Sequence, residues 1–339
     1  MINNWLKDKE ILITGGTGSL GKELTKQLIQ DHNPRGIRIF SRGELEQWRM
    51  SQEINRLRND LGKTTPVAFL VGDVRDAKRL KRAMEGVDIV IHAAALKQVP
   101  SCEDNPLEAV QTNIHGAENV LNAALDCGVK KVMNVSTDKA VKPVNLYGAT
   151  KLAAEKLFIN GNVYSGRKGT IFSCCRYGNV LGSRGSVAHV FKEQIDSGQP
   201  ITITHKAMTR FWITIPRVAQ FILARLDDMK GGEIFVPKMK SMGLYEMACA
   251  MAGWNAISFK NRTDVFQVTG IRQGEKLHEI LFCEEEYVVN KPNHYEVYPR
   301  FNKDSGPLGQ DQWELSSNRN PNGELSAEDL LAMLAKADI

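Results

Sequence analysis

Short apolar runs alternate with amphipathic stretches through the first half of the chain. Glu10 to Thr14, Ile37 to Ser41, Val67 to Val71, Asp88 to His92, Lys131 to Ser136 and Thr170 to Cys175 each read as a short buried strand. Between them lie longer stretches of helical period, such as Leu20 to Asp31 and Ala109 to Asp126. Buried strands separated by helices predict a parallel sheet covered on both faces. Right-handed crossovers make such a sheet doubly wound, so the expected class is α/β.

The pattern changes after about Val180. Strands become sparser, and glycine and proline punctuate more often. Ile201 to Thr204, Glu233 to Val236 and Asp264 to Val268 are predicted as short strands, and Pro216 to Met229 and Met242 to Met251 as helices. The expected organisation is a sheet domain over residues 1–180 that carries the catalytic residues. Residues 181–339 mainly form a smaller lobe over the carboxyl edge of the sheet, where open α/β folds bind ligands. That boundary is approximate, and segments of the two can interleave across it. The tail from about Asn302 to Gly323 reads as loop, and Ser326 with Asp329 resembles a variant capping box opening a last helix.

Gly15, Gly16, Thr17, Gly18, Ser19, Leu20 and Gly21 follow directly on the first strand and open a helix. Glycines there allow a sharp turn and close approach of a pyrophosphate to helix N-terminal amides. The motif gains its force from its strand-turn-helix context and makes the sheet Rossmann-like. After the second strand come Ser41 and Arg42, suited to a 2′-phosphate, so NADP is favoured over NAD. Glu44 nearby is the opposing signal, since an NAD site usually holds the ribose with a carboxylate. Asp73 and Val74 are placed to meet adenine, and Ala93, Ala94 and Ala95 offer small residues against the cofactor. His92 divides evenly between a ligand role and a packed strand-end histidine.

Tyr147 and Lys151 stand four residues apart and share a face if the segment is helical. A nearby ammonium stabilises a phenolate, which makes the tyrosine a base for an alcohol that loses hydride. Asp138 and Lys139 add a second acid/base pair. One pair suffices for oxidation; two imply a further step such as elimination.

Composition narrows the remaining classes. The 339 residues carry a net charge of +5, which suits a small anionic ligand, and no basic run interleaved with aromatics points to nucleic acid. No apolar run approaches the ~18–20 residues needed to span a bilayer, and the start lacks a signal-peptide core. The six cysteines lack metal-ligand spacing and are expected to be reduced, in a cytoplasmic protein. His189, His205 and His278 have no partner pattern, so no metal site is expected. Met247, Met251 and Trp254 read as packing residues.

With these motifs in hand, the chain resembles the extended short-chain dehydrogenases/reductases. Thr137-Asp138-Lys139, Arg176-Tyr177-Gly178-Asn179-Val180, Gly182-Ser183-Arg184-Gly185-Ser186, Met208-Thr209-Arg210-Phe211-Trp212 and Gly270-Ile271-Arg272-Gln273-Gly274-Glu275-Lys276 extend the likeness. Together with Asn113, they resemble the inverting UDP-N-acetylglucosamine 4,6-dehydratases of the pseudaminic acid route, from about Lys9 to Glu279. Two positions depart from that pattern: Gly43, where an acidic residue is expected, and Gln273, where a proline is.

The resemblance implies dehydration of a nucleotide sugar. Tyr147, with Lys151 lowering its pKa, takes the proton from the C4 hydroxyl. A neutral Lys139 removes the C5 proton, and a protonated Asp138 serves the C6 hydroxyl. Thr137 stabilises the C4 oxygen. Arg210, Arg272 and Asn179 are candidates for the diphosphate or ribose, Glu275 for the ribose hydroxyls, and Lys97 lies toward the same cleft. A homo-oligomer, dimer or hexamer, is implied. Alternatives on the same fold are a 4-epimerase, a retaining dehydratase and a GDP-sugar dehydratase. A non-catalytic NADP-binding sensor would not need the Tyr147/Lys151 pair.

Overall fold

β1 (Glu10–Thr14) runs into α1 (Ser19–Gln27), which continues as a π turn over Leu28–His32. The computed structural model describes residues 5–166, 169–183, 185–253, 265–299, 313–337 and 339. β2 (Gly36–Ser41), α2 (Glu44–Leu61), β3 (Val67–Val71), α3 (Ala77–Met84) and β4 (Ile89–His92) follow. Then come α4 (Val99–Asp104), α5 (Pro106–Val110), a π turn over Gln111–His115, α6 (Gly116–Cys127), β5 (Lys131–Val135), α7 (Leu146–Ser165) and β6 (Ile171–Cys175). The second half holds β7 (Asn179–Leu181), α8 (Val187–Asp196), β8 (Ile201–Ile203), β9 (Thr209–Thr214), α9 (Ile215–Asp228), β10 (Ile234–Pro237) and β11 (Lys240–Gly243). It ends with α10 (Leu244–Met251), β12 (Phe266–Val268), β13 (Ile280–Phe282), β14 (Glu286–Asn290), β15 (His294–Pro299), β16 (Leu315–Ser316) and α11 (Ala327–Ala335).

Nine strands form one sheet in the order β14-β15-β10-β6-β5-β4-β1-β2-β3. From β3 across to β10 the neighbours pair in parallel, and β15 and β14 close the edge antiparallel. The expected α/β, doubly wound Rossmann-like class is what the chain adopts. The strand order reverses between β1 and β4, and such a switch point opens a crevice at the carboxyl ends of the strands. Ile11, Leu12, Ile13, Ile39, Val90, Ile91, Val132 and Phe172 are fully or almost fully buried in the main core.

The chain after Val180 divides its work. β10, β14 and β15 complete the large sheet. Other segments build the small sheet β11-β9-β7 and a second core of Leu181, Phe191, Ile201, Trp212, Met247 and Leu334. Most strands there are short, but among the described residues they are not sparser as expected. The helix predicted from Met242 starts at Leu244, because Lys240–Gly243 pairs with β9. Met247 and Met251 pack as predicted, whereas Trp254, Arg184, Asp264 and residues 302–312 of the tail lie outside the described residues. The capping box is present: Asp329 N donates to Ser326 Oγ at 3.0 Å.

Candidate active site

A cleft of about 970 Å³ opens along the carboxyl edge of β1, β2, β4 and β5. Gly15, Thr17, Gly18, Ser19, Leu20 and Gly21 line its floor, Ser41, Arg42, Asp73 and Val74 one end, and Ala93, Ala94, Ala95 and Lys97 its wall. Thr137, Lys139, Tyr147, Lys151 and Asn179 line the other end. The turn is tight for a steric reason. Gly15 has φ +66°, and a Cβ there would lie 2.8 Å from Ala94 N. No side chain caps α1, so its first-turn amides have no capping side chain.

Asn145 organises the catalytic end. Its Oδ1 accepts from Gly148 N at 2.7 Å and caps α7, while its Nδ2 donates to Gly274 O at 2.7 Å. Gly148 is needed because a Cβ would collide with the Lys139 carbonyl. The first turn of α7, with Tyr147, thus packs directly on the short 3-10 turn Asp138–Ala140. Asn113 braces the same region, bonding both Leu96 backbone groups and Thr150 Oγ1.

Around Lys139 the charges are dense. Its Nζ lies 3.1 Å from Asp138 Oδ1, 3.3 Å from Asn179 Oδ1 and 3.4 Å from Glu279 Oε1. Asp138 is fully buried and sits behind Lys139, outside the cleft lining. Thr137 Oγ1 donates to its Oδ1 at 2.9 Å, and its Oδ2 has no hydrogen-bond partner. Burial, helped by the nearby Glu279 carboxylate, raises the Asp138 pKa against the pull of the Lys139 ammonium.

Two expected pKa shifts are corrected. Burial lowers the Lys139 ammonium, but Asp138 and Glu279 outweigh it, and its pKa stands above the ordinary lysine range. Burial pushes the Tyr147 hydroxyl up to about 12, and the cation that pulls it back is Lys139, not Lys151. Lys151 Nζ is drawn away to donate to Val135 O at 2.6 Å, and burial brings it down to about 8.

Besides Asp138, the sequence candidates Arg210, Glu275, Arg272 and His92 do not line the cleft. Arg210 is buried, with Nη1 donating to Thr209 O at 2.8 Å and Nη2 lying 3.8 Å from Glu275 Oε1. Arg272 is exposed on the loop before Gly274. His92 packs: Thr14 Oγ1 lies 2.7 Å from its Nδ1 and Phe158 stands against the ring. Arg176 is wholly buried between Glu155 (2.7 Å) and Glu286 (2.9 Å), a brace between β6, α7 and β14.

Two residues were not singled out by sequence. Glu46, not Glu44, brings a carboxylate to the cleft, filling the space beside Gly43. Glu279 joins the Lys139 cluster, and only its place just beyond the Gly270–Lys276 motif hinted at that. Among the described residues no group of side chains could hold a metal ion, no disulfide forms, and no helix is long and apolar enough to cross a membrane.

Residues 11–299 match the family described as polysaccharide biosynthesis protein. A UDP-N-acetylglucosamine 4,6-dehydratase (inverting) from Campylobacter jejuni subsp. jejuni is 45% identical, over 92% of this chain and 93% of that protein. A UDP-glucose 4-epimerase from Rickettsia canadensis is 40% identical over 82% of this chain and 79% of its own length. The X-ray structure of Pen from Bacillus thuringiensis superposes with a TM-score of 0.86 at 34% identity, covering 98% of this chain and 99% of that one.

Proposed function

The chain belongs to the polysaccharide biosynthesis protein family, and we propose that it is an inverting UDP-N-acetylglucosamine 4,6-dehydratase. The observation that carries this reading is the hydrogen-bonded Asp138/Lys139 pair in contact with the cleft that holds Tyr147 and Lys151. A 4-epimerase oxidises C4 and reverses that step on the other face, for which one pair suffices. A dehydratase must also take a proton from C5 and give one to the hydroxyl leaving C6.

The residues fit a nicotinamide dinucleotide. The uncapped first turn of α1 suits a pyrophosphate, and the glycine turn leaves the backbone accessible. NADP is favoured. Ser41 Oγ already accepts from Gln47 Nε2 at 2.9 Å, so its own proton is available to a 2′-phosphate, with Arg42 beside it. The chemistry a bound nicotinamide supplies is reversible hydride storage, taken from C4 and returned to C6.

The chain's own residues move the protons. Tyr147 takes the C4 hydroxyl proton as the phenolate, the form that burial opposes and the Lys139 ammonium favours. The phenolate charge helps hold Lys139 protonated, so its neutralisation loosens that proton. Lys139 passes it 3.1 Å to Asp138, which yields a neutral amine and a carboxylic acid from one ion pair. The amine then takes the C5 proton, made acidic by the C4 ketone. The Asp138 proton leaves with the C6 hydroxyl as water. After hydride reaches C6, C5 takes a proton from solvent on the face opposite Lys139, which inverts that carbon, and Lys139 releases the proton it took. Thr137 holds the Asp138 side of this exchange.

Lys97, Thr137 and Asn179 are the proposed substrate contacts that line the cleft. Arg272 and Glu275 stand on the loop around Gly274 and remain candidates for the diphosphate and ribose, whereas Arg210 is held buried on β9 against Glu275 and Glu279. The protein works as a cytoplasmic homo-oligomer, dimer or hexamer, at the entry to a pseudaminic acid-type route. The test is NMR of the protein with UDP-N-acetylglucosamine in heavy water. A 6-deoxy-4-keto product with deuterium at C5 and L-arabino couplings is expected. An N-acetylgalactosamine product would replace this reading with the epimerase.

A further inference from the structure

Glu279 belongs to no motif and touches no cleft surface, yet it is 2% exposed and carries a charge into the ionic cluster around Lys139. Its backbone is clamped from both sides. Its N–H donates to Ser317 Oγ at 3.0 Å, and its carbonyl accepts from Ser317 N at 2.9 Å. The side chain is aimed from the head of β13 at the turn that carries Asp138 and Lys139. Oε1 lies 3.4 Å from Lys139 Nζ and 3.9 Å from Arg210 Nε, and Oε2 lies 3.7 Å from Lys276 Nζ without a hydrogen bond.

A surface carboxylate would be a poor anchor, but this one is desolvated and rigid, so its field on Lys139 is strong. Lys139 faces Asp138 from its own turn, Tyr147 from α7, Asn179 from β7, Arg210 from β9, and Glu279 with Lys276 from the segment leading into β13. Arg210 disfavours the ammonium, while Asp138, Tyr147 and Glu279 favour it. Asp138 must exchange a proton with Lys139 and Tyr147 changes charge with substrate. Against its burial, Glu279 is held below its ordinary pKa by Lys139, Arg210 and Lys276, and Arg210 and Lys276 stay charged when Lys139 gives up its proton.

Resting on the dehydratase reading, we propose that Glu279 is a positioning residue for elimination: it holds Lys139 as an ammonium until Tyr147 is protonated and sets the pH above which Lys139 acts as the C5 base. The proton on Lys139 goes to Asp138, the C5 proton goes to Lys139, and Glu279 gains and loses none.

The experiment compares cofactor-loaded wild-type, Glu279→Gln and Glu279→Asp proteins with UDP-N-acetylglucosamine. C5 deuterium incorporation is followed across pH, and C4 oxidation is followed separately as reduced-nicotinamide absorbance in a single turnover. Removing a fixed negative charge makes Lys139 give up its proton more readily. The rising limb of the exchange profile in Glu279→Gln therefore moves to lower pH by roughly one unit or more. C4 oxidation stays within about threefold of wild type, since a group outside that step alters its barrier little. Glu279→Asp keeps the charge and returns the limb toward its wild-type position. An unmoved limb in Glu279→Gln, an equal shift in Glu279→Asp, or loss of the C4 step together with exchange overturns the proposal. Wild-type protein that oxidises C4 but never exchanges C5 overturns the dehydratase reading itself.

Discussion

Lys139 Nζ meets Asp138 Oδ1 at 3.1 Å, and the carboxylate it meets is wholly buried. An ion pair in that position has given up its hydration, so the gap between the charged pair and the neutral amine/acid pair is narrow. Moving one proton across the contact creates the base and the acid together. Tyr147, whose charge acts on Lys139, supplies the trigger.

Lys139→Met separates the two halves of the reaction. C4 oxidation is expected to slow, because the ammonium that favours the Tyr147 phenolate is gone, but still to be detectable, while C5 deuterium incorporation falls by roughly a hundred- to ten-thousand-fold, the range for loss of a general base. NMR in heavy water and cofactor absorbance read the two steps independently. Native-rate product from this variant would remove Lys139 from the mechanism.

Arg42→Ala tests the cofactor assignment. Losing a charge-assisted contact to a 2′-phosphate costs about 1.5–3 kcal/mol, roughly a ten- to hundredfold weaker NADP. NAD affinity should change little, because it lacks the phosphate. Calorimetric titration of both cofactors checks this. Parallel losses for the two would mean that Arg42 does not read the phosphate, and Glu46 would then become the residue to examine.

The sheet was legible because its strands are buried on both faces and read as continuous apolar runs, as in Ile11-Leu12-Ile13 and Ile89-Val90-Ile91. The residues assigned to the cofactor all line the cleft, because the fingerprint fixes a local turn and the carboxyl ends of successive strands bring the rest beside it. What escaped was long-range. Glu279 reaches Lys139 across 140 positions of chain, through a strand pairing (β13 with β16) that no local period announces. The antiparallel edge strands β14 and β15 were hidden similarly: Glu286–Asn290 is only half-buried and does not stand out from its surroundings as an apolar run. Electrostatics was the other blind spot. Four-residue spacing puts Tyr147 and Lys151 on one face, but it cannot reveal that the Val135 carbonyl captures the ammonium.

Asn145→Ala removes two contacts at once, the α7 cap and the link to Gly274. Loss of the cap alone costs about 1 kcal/mol. Asn145→Ser, which can still cap, should recover most of that stability in urea melts. It should not recover the Gly274 bond, so KM for the nucleotide sugar stays raised in both variants. A KM restored with stability would show that the loop does not depend on Asn145.

His92 makes the fold acid-sensitive. Burial between Thr14 and Phe158, with Lys151 adding to the effect, lowers its pKa to about 3 from 6.5. The unfolded chain binds this proton below pH 6.5, whereas the folded chain refuses it until about pH 3. The stability that the neutral ring contributes is therefore fully present above pH 6.5 and lost as pH falls toward 3. Within that window one proton corresponds to a slope of ~1.4 kcal/mol per pH unit. His92→Asn keeps a polar group opposite Thr14 Oγ1 but cannot titrate, so it should be less stable than wild type at neutral pH. Its unfolding free energy should then fall less steeply between about pH 6.5 and about pH 4.5, by that same increment per unit. Urea denaturation at several pH values measures both slopes. Equal slopes in the two proteins would mean that His92 takes up its proton without unfolding the chain, and the acid sensitivity would then have to come from the buried carboxylates around Arg176 and Lys139.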